Sequence, residues 1–246
     1  MFKTHIKNIL NHFGFRMLRT VTTSDAQYET IIPKATYAPW NTDQQFITLY
    51  GQIKDHTLVD KYRCFELYAL VAQCAKLSGG SIIEIGVWRG GTGALLARRA
   101  SDCGIREKVY LCDTFSGVVK AGVHDTTYKG GEHADTSKEL VTCLLKKVAS
   151  YANVKVLQGI FPDQTGVLVA DEKFRLCHID VDVYESAKGV VDWIWDRLVP
   201  GGMIVYDDFG FSGCSGITQY VNEQMQKNDR VVIHNLNGHA IIIKRE

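Results

Sequence analysis

Short apolar runs alternate with segments of helical periodicity along most of the chain. Runs typical of strands occur at 81–86, 108–113, 154–158, 175–181 and 202–206. Segments that repeat apolar residues at helical spacing lie between them, at about 91–100, 135–150, 163–170 and 186–198. Strands that alternate with helices predict a parallel sheet with helices on both faces. The runs are almost continuously apolar, as expected for strands that are buried on both sides.

The last part of the chain follows a different pattern. A helical segment at about 215–227 precedes two apolar runs at 230–235 and 239–244. Asn237 and Gly238 join these runs, and an Asn-Gly pair is typical of a β-hairpin turn. We therefore predict an α/β fold, with a doubly wound and mostly parallel sheet that carries an antiparallel strand at its C-terminal edge.

The first part of the chain predicts a helical extension ahead of the sheet. Residues 1–24 contain four Lys and Arg residues and no Asp or Glu, and their apolar residues recur at helical spacing. Such a segment packs on its own domain or on a second subunit, or it serves as a transit peptide or membrane-surface anchor. A further helical pattern covers 57–77. We predict a helical and irregular extension over residues 1–56 and a sheet domain over 57–246.

Composition and charge exclude several classes of protein. Of the 246 residues, 46% are hydrophobic, which is enough for a large core and excludes a disordered chain. The 28 basic and 27 acidic residues give a net charge of +1, so no overall field attracts nucleic acid or an anionic membrane. No apolar run approaches the roughly 18 residues of a membrane span. Seven scattered cysteines without a C-x-x-C pair are typical of the reducing cytoplasm, where we expect the protein.

A glycine-rich turn follows the first predicted strand. A P-loop is excluded because Thr92 stands where its phosphate-binding lysine belongs, and a dinucleotide fingerprint is excluded because Trp88 replaces its second glycine. What remains is an acidic residue, Glu84, followed by the turn, with Asp113 at the end of the next strand. A carboxylate in the position of Asp113 typically accepts hydrogen bonds from a ribose diol, and Glu84 could face the cationic group of an amino acid. The alternative is a turn whose glycines serve only the packing of the fold.

Four aspartates follow two strands that we expect to be neighbours in the sheet. Asp180 and Asp182 end one predicted strand and share one of its faces, while Asp207 and Asp208 end the next. Four carboxylates at one rim repel one another unless protons or a cation neutralise them. Oxygen ligands suit a hard divalent ion, and Mg²⁺ accepts a few carboxylates while it keeps positions for water or substrate. The alternative is that Asp182 and Asp208 cap the structures that follow them.

Together these motifs resemble the macrocin O-methyltransferase family. The segments that carry the resemblance are 86–92, 113–115, 179–184, 200–202 and 207–208. Members of this family are class I enzymes that use S-adenosylmethionine to methylate sugar hydroxyls of macrolide and aminocoumarin natural products. The similarity extends over about residues 57–245, and the linked D-x-D and D-D motifs are more specific than the glycine-rich turn.

The resemblance implies a role for each motif residue. It makes Asp180, Asp207 and Asp208 the magnesium ligands and Asp182 the general base. The residues implied to contact S-adenosylmethionine are Thr57, Glu84, Gly86, Val87, Trp88, Asp113, Thr114, Phe115, Ser137, Gly159 and Asp180. The loop 118–136 departs most from the family, and its length and polarity suit a mobile lid, with an ordinary surface loop as the alternative.

These features predict a magnesium-dependent O-methyltransferase that transfers the methyl group of S-adenosylmethionine to a hydroxyl of a sugar or sugar-bearing metabolite. A metal-dependent hydrolase that uses the same carboxylates is an alternative, although it has no need for the pocket of Glu84 and Asp113. A non-catalytic cofactor-binding module on the same fold is another. We expect a small-molecule acceptor, no nucleic acid partner and no membrane span, and the N-terminal helix could form a homo-oligomer. His178 and His239 lie in apolar strands and are expected to be satisfied core residues.

Overall fold

The computed structural model describes residues 25–32, 34–149 and 151–245. Two compact units make up the chain, Met1–Ala35 and Thr36–Glu246. In the first unit, the described residues include a turn in which the Tyr28 amide donates a hydrogen bond to the Asp25 carbonyl oxygen (3.1 Å). The amphipathic helix predicted over residues 1–24 lies outside the described residues. Every described strand and helix belongs to the second unit.

A seven-stranded sheet forms the centre of the second unit. Its strands are β1 (Ser81–Ile85), β2 (Val109–Asp113), β3 (Val154–Gln158), β4 (Phe174–Ile179), β5 (Leu198–Tyr206), β6 (Arg230–His234) and β7 (Ala240–Lys244). They lie in the order β3-β2-β1-β4-β5-β7-β6, with β1 to β5 parallel and β7 antiparallel to both of its neighbours. The predicted doubly wound sheet is confirmed. So is its antiparallel edge, with β6 as the outermost strand and β7 one position inward.

Six α-helices of the described residues flank the sheet. They are α1 (Gln44–Ile53), α2 (Lys61–Cys74), α3 (Gly91–Asp102), α4 (Lys138–Val148), α5 (Tyr184–Ile194) and α6 (Ser215–Gln224). The Asp60 carboxylate accepts hydrogen bonds from two amides of the first turn of α2, at 2.8 and 3.2 Å, so the pattern seen from residue 57 becomes helix only at Lys61. The short helix predicted at 163–170 is a 3-10 turn at Gly166–Val169. None of the described helices is long and apolar enough to cross a membrane.

Apolar side chains pack on both faces of the sheet. All of β1 is buried, and its successive side chains point to opposite faces. One layer holds the buried side chains of α1 to α4, among them Phe46, Leu67 and Leu95, and the other holds those of α5 and α6, among them Val190. Helix α1 falls within the predicted extension and yet contributes to the first layer. The division of the chain after residue 56 stays a prediction.

The hairpin of β6 and β7 forms where Asn237 and Gly238 predict it. The Asn235 amide donates a hydrogen bond to the His239 carbonyl oxygen (3.1 Å) across the connection. Within the turn, the Asn235 side chain accepts a hydrogen bond from the Asn237 amide (2.8 Å), and Gly238 has a φ of 95°, which favours glycine. The connection places His239 at the start of β7, beside the end of β5.

Candidate active site

A cavity of about 420 Å³ opens at the carboxyl ends of β1, β2, β4 and β5. The strand order reverses between β1 and β4, and open α/β sheets bind their ligands at such a reversal. The predicted site residues that line this cavity are Thr57, Gly86, Val87, Trp88, Asp113, Thr114, Gly159, Asp180, Asp182, Asp207 and Asp208. Glu84, Phe115 and Ser137 are not among its lining residues.

The turn after β1 brings two backbones into contact. Gly86 has a φ of 84°, and a Cβ added there would lie 1.6 Å from the carbonyl oxygen of Asp180. No side chain fits in this space, so only glycine lets the end of β1 meet the end of β4. The contact places the glycine-rich turn beside the first aspartate of the cluster.

Asp113 holds the glycine-rich turn in place. One of its carboxylate oxygens accepts hydrogen bonds from the amides of Val87 (2.7 Å) and Trp88 (2.9 Å). The other oxygen accepts a hydrogen bond from the Phe115 amide (2.6 Å). Asp113 therefore shapes the wall of the cavity through backbone contacts, and its role toward a ribose stays a prediction.

Three of the predicted cofactor residues have contacts elsewhere. Glu84 is fully buried, with Oε1 at 2.9 Å from Nδ1 of His178 and its other oxygen close to Gly93. Ser137 caps α4, because its hydroxyl accepts a hydrogen bond from an amide of the first turn (3.2 Å). Phe115 packs against the apolar layer of α1 to α4. Each of them thus contacts protein, and a role in cofactor binding stays a prediction.

Asp180, Asp207 and Asp208 come together where β4 and β5 end. Each offers one carboxylate oxygen, and the three oxygens lie within 4.8 Å of one another. Burial and the charges of neighbouring aspartates raise the pKa of Asp180 and of Asp208 well above the usual range. Burial also acts to raise the pKa of Asp207, but the two buried histidines near its carboxylate and the charge of an arginine outweigh it and lower that pKa. The cluster therefore combines one ionised carboxylate with two that favour a proton or a cation.

Asp182 extends the cluster along the cavity. Its backbone has a φ of 64°, which few residues other than glycine adopt, and its amide donates a hydrogen bond to Oδ2 of Asp208 (3.2 Å). Its carboxylate lies near Tyr128, and burial raises its pKa. Asp182 does not cap α5, whose N-cap position belongs to Val183. A strained backbone of this kind is most common at functional sites.

One protein-family model, described as Macrocin-O-methyltransferase (TylF), matches residues 41–239. The chain belongs to this family. The matched region includes β1 to β6 and all six of the described helices. The match confirms the family that the sequence motifs indicate, which is a family of O-methyltransferases.

Two relatives to which the chain is similar are named O-methyltransferases. One is 8-demethyl-8-(2,3-dimethoxy-alpha-L-rhamnosyl)-tetracenomycin-C 4'-O-methyltransferase of Streptomyces olivaceus, 26% identical over 169 residues, or 65% of this chain and 64% of that enzyme. The other is mycinamicin III 3''-O-methyltransferase of Micromonospora griseorubida, 27% identical over 194 residues, or 72% of this chain and 74% of that enzyme. The match thus spans just under two thirds of the length of the first relative.

Two solved structures share the fold of this family member. The O-methyltransferase NovP superposes with a TM-score of 0.62 at 22% identity, over 77% of this chain and 82% of its own. The calicheamicin methyltransferase CalS11 superposes with a TM-score of 0.60 at 16% identity, over 85% of this chain and 94% of its own. Both likenesses confirm the predicted methyltransferase fold.

The macrocin O-methyltransferase motifs do not contain all the residues that the fold brings to this site. Arg63 donates through Nε to the Asp60 carboxylate (2.8 Å), and through Nη1 to the carbonyl oxygen (3.1 Å) and the carboxylate of Asp207. His239 places Nε2 at 2.9 Å from Oδ1 of Asp207, and His178 places Nε2 at 3.7 Å from the same oxygen. Both histidines are buried, and His239 has hydrogen-bond partners at both nitrogens, as expected for a satisfied core residue. His178 differs from this expectation, because Nδ1 is paired with Glu84 and Nε2 has no hydrogen-bond partner among the described residues. In the sequence each histidine is marked only as a polar residue in an apolar run. Its position beside the aspartates depends on the order of the strands in the sheet, which the sequence does not give.

The loop between β2 and α4 covers one side of the cavity with Tyr128 and His133. Val118 forms two backbone hydrogen bonds, at 2.8 and 2.9 Å, that close the loop on itself. The Ser186 hydroxyl of α5 donates a hydrogen bond to the Val119 carbonyl oxygen (2.8 Å). The loop is thus tied to the cavity wall, and its opening as a lid stays a prediction.

Proposed function

We propose that the protein methylates a hydroxyl of a sugar or glycosylated metabolite, with S-adenosylmethionine as methyl donor and Mg²⁺ at the aspartate cluster. The observation that carries this proposal is a single cavity bordered by the glycine-rich turn with Asp113 and by the four aspartates. A pocket for the donor and a group that activates the acceptor are therefore adjacent. The acceptor class is supported by the name of the Streptomyces olivaceus relative, which gives a rhamnosyl-bearing tetracenomycin.

The residues beside β1 and β2 fit S-adenosylmethionine. Gly86 and Gly159, both with positive φ, leave the backbone open to the close approach of a ligand, and Asp113 offers carboxylate oxygens at the end of β2. We expect Asp113 to share these oxygens between the amides of the turn and the ribose diol. When bound, the cofactor supplies a methyl group on a sulfonium centre. The cavity walls hold the two reactants close together, which accounts for much of the acceleration of such a transfer.

The aspartate cluster fits a magnesium ion. Asp180, Asp207 and Asp208 present hard oxygen ligands that are close enough to share one cation. The repulsion that raises the pKa of two of them is relieved by positive charge. When bound, Mg²⁺ would lower the pKa of an acceptor hydroxyl. Asp207, which is ionised through its contacts with Arg63 and His239, is the ligand whose charge is already in place.

Asp182 is the residue that we expect to accept the proton. It lines the cavity next to the cluster, and its carboxylate oxygens have lone pairs for the acceptor hydroxyl. Burial raises its pKa, which makes the carboxylate a better base at neutral pH. With the cofactor bound, transfer of the proton to Asp182 would leave the acceptor oxygen free to take the methyl group from the sulfonium. S-adenosylhomocysteine is the second product.

Calorimetric titration of the protein with S-adenosylmethionine and S-adenosylhomocysteine, with and without Mg²⁺, tests the donor. We expect micromolar binding, and its loss in Asp113→Ala, because the glycine-rich turn loses two hydrogen bonds, the Phe115 amide loses one and the ribose loses its acceptor. Asp192→Asn, which changes an exposed carboxylate of α5 paired with Lys188, is the control. No binding by the unmodified protein under either metal condition would contradict the methyltransferase proposal and favour the hydrolase.

A separate assay tests the acceptor. Methyl transfer from labelled S-adenosylmethionine is measured to a nucleotide-bound rhamnose, to a methyl rhamnoside and to a catechol. We expect transfer to the sugars and none to the catechol. Transfer to the catechol alone would contradict the acceptor class while it leaves the methyltransferase activity in place.

A further inference from the structure

A line of polar side chains joins the Asp207 carboxylate to α2 and to the C-terminal hairpin. His239 lies between Asp207 and Glu66, with Nε2 at 2.9 Å from Oδ1 of the aspartate and Nδ1 at 2.6 Å from Oε2 of the glutamate. The other oxygen of Glu66 accepts a hydrogen bond from the Asn235 side chain. The His239 side chain is fully buried, and that of Glu66 is 24% exposed.

This line holds the Asp207 carboxylate at one oxygen, and an arginine holds it at the other. Oδ1 faces His239, and Oδ2 accepts a hydrogen bond from Arg63, whose Nη1 also donates to the Asp207 carbonyl oxygen (3.1 Å). Rotation of the carboxylate would break both contacts. Each oxygen keeps a second lone pair. The two contacts therefore fix the direction of the lone pairs that remain for a cation shared with Asp180 and Asp208.

We propose that Glu66 and His239 are positioning residues that orient Asp207 as a metal ligand. This inference rests on the magnesium site of the proposed function. Groups that hydrogen-bond to a metal ligand fix its orientation, and their loss typically weakens metal binding about 10- to 100-fold. Here His239 fixes the ligand and Glu66 fixes His239, because a ring with contacts at both nitrogens cannot turn without losing them.

The sequence positions of these residues explain how they meet. Glu66 stands three residues after Arg63, so both side chains leave the same face of α2. His239 directly precedes β7, which pairs with β5, and Asp207 directly follows β5. A buried network of charged and polar side chains contributes less to stability than apolar packing of the same volume. Because the network ends at a carboxylate of the cluster, we infer that it serves the metal site rather than the stability of the core.

The affinity of the full-length protein for Mn²⁺, measured by electron paramagnetic resonance of the free ion, tests this inference without any substrate. Glu66→Ala frees the His239 ring, and we expect Mn²⁺ to bind about 10-fold more weakly or worse. Glu66→Gln should restore most of the affinity, because the amide oxygen accepts from Asn235 and the amide N–H donates to a neutral His239. The pair of variants thus separates the contacts of Glu66 from its charge.

Glu172→Ala is the matched control. The Glu172 carboxylate also accepts two hydrogen bonds, from the hydroxyls of Ser81 and Tyr110, both at 2.8 Å, near the amino ends of the strands. We expect this variant to lose stability as Glu66→Ala does and to keep the Mn²⁺ affinity of the unmodified protein. A loss of Mn²⁺ affinity in Glu66→Ala alone then shows that the orientation of Asp207 has changed, and not that the fold as a whole is less stable.

Three outcomes would overturn the inference. Unchanged Mn²⁺ affinity in Glu66→Ala removes the role of the residue, and an affinity in Glu66→Gln as low as in Glu66→Ala assigns the effect to charge. Absence of Mn²⁺ binding by the unmodified protein would contradict both this inference and the proposed magnesium site. The methyltransferase proposal would still be tested separately, by the calorimetry with S-adenosylmethionine. If circular dichroism shows that the alanine variant does not fold, Glu66→Asp replaces it. That side chain keeps its charge but is one methylene too short to reach His239, and the same loss is expected.

Discussion

At the scale of single residues, the four aspartates share one chemical group and differ in their neighbours. Asp207 has an arginine and a histidine at its two oxygens, so its charge is compensated within the protein. Asp180 and Asp208 face mainly other carboxylates, whereas Asp182 also has a tyrosine nearby. We infer a division of tasks from these surroundings, in which three of the carboxylates hold a cation and the fourth accepts a proton.

Asp182→Asn tests this division. An amide cannot accept the proton, so we expect methyl transfer to slow by about one hundred- to ten thousand-fold. The affinity for S-adenosylmethionine should stay the same, because the backbone and volume of the residue are kept. Steady-state kinetics and calorimetry measure the two quantities, with Asp192→Asn as the control at the protein surface. Turnover near that of the unmodified protein would remove Asp182 as the base.

The sequence predicts the members of the cluster and misses their partners. The aspartates directly follow apolar runs, which places them at strand ends, and parallel strands end at the same rim. Arg63 and His239 give no such sign, because their contacts with Asp207 depend on which strands and helices become neighbours. Glu84 shows a second limit. A strand that is buried on both faces has no polar and apolar alternation, so nothing in the sequence tells on which face its acidic side chain lies.

At the scale of elements, the close packing of α3 on the sheet depends on one small residue. A Cβ at Gly93 would lie 2.7 Å from Oε2 of Glu84 and 2.8 and 2.9 Å from the two Cδ atoms of Leu111. The helix that begins at the glycine-rich turn therefore approaches β1 and β2 as closely as the backbone allows. The distance between α3 and the sheet therefore determines how far the glycine-rich turn stands from the cavity.

Gly93→Ala should destabilise the protein by about 1–3 kcal/mol, because the added methyl group overpacks this contact. Gly51→Ala is the control, since nothing lies within 4 Å of a Cβ at that position of α1. In an exposed helix this change stabilises by about 0.5–1 kcal/mol. Urea unfolding of both variants gives the two free energies. A stability of Gly93→Ala equal to that of the unmodified protein would show that α3 can shift away from the sheet.

The elements also show where prediction from sequence ends. Asn237 and Gly238 predict the hairpin because a turn is a local property of a few residues. The insertion of β7 between β5 and β6 is not local, and no pattern within 239–244 selects β5 as its neighbour. The same holds for Ser137, which lies within the helical pattern predicted at about 135–150, whereas in the structure it caps a helix that begins at Lys138.

At the scale of the whole molecule, a net charge near zero conceals an uneven distribution of charge. The 28 basic and 27 acidic residues almost balance. Even so, five aspartates line one cavity, and the described basic residues that line it are Arg63 and His133. In the absence of a cation, this arrangement costs stability. The protein should therefore be more stable with a metal ion than without one.

Asp208→Asn tests this balance. It removes one of the repelling charges and keeps an oxygen for the Asp182 amide, so we expect a higher melting temperature in the presence of a chelator. In a chain of this size, 1 kcal/mol corresponds to about 2–4 °C. Millimolar Mg²⁺ should raise the melting temperature of the unmodified protein and have little effect on the variant. A variant that is less stable than the unmodified protein in chelator, or equally responsive to Mg²⁺, would contradict the repulsion argument.

The position of β7 also affects how the protein is made. During synthesis β5 leaves the ribosome before β6 and β7 do, so one of its edges has no partner and the Asp207 that follows it has no His239. An unpaired strand edge is a point at which a nascent chain aggregates or is bound by a chaperone. Docking of the hairpin closes that edge and completes the surroundings of the aspartates in one event. Until the hairpin docks on β5, the nascent chain is therefore exposed to misassembly and its aspartate cluster is incomplete.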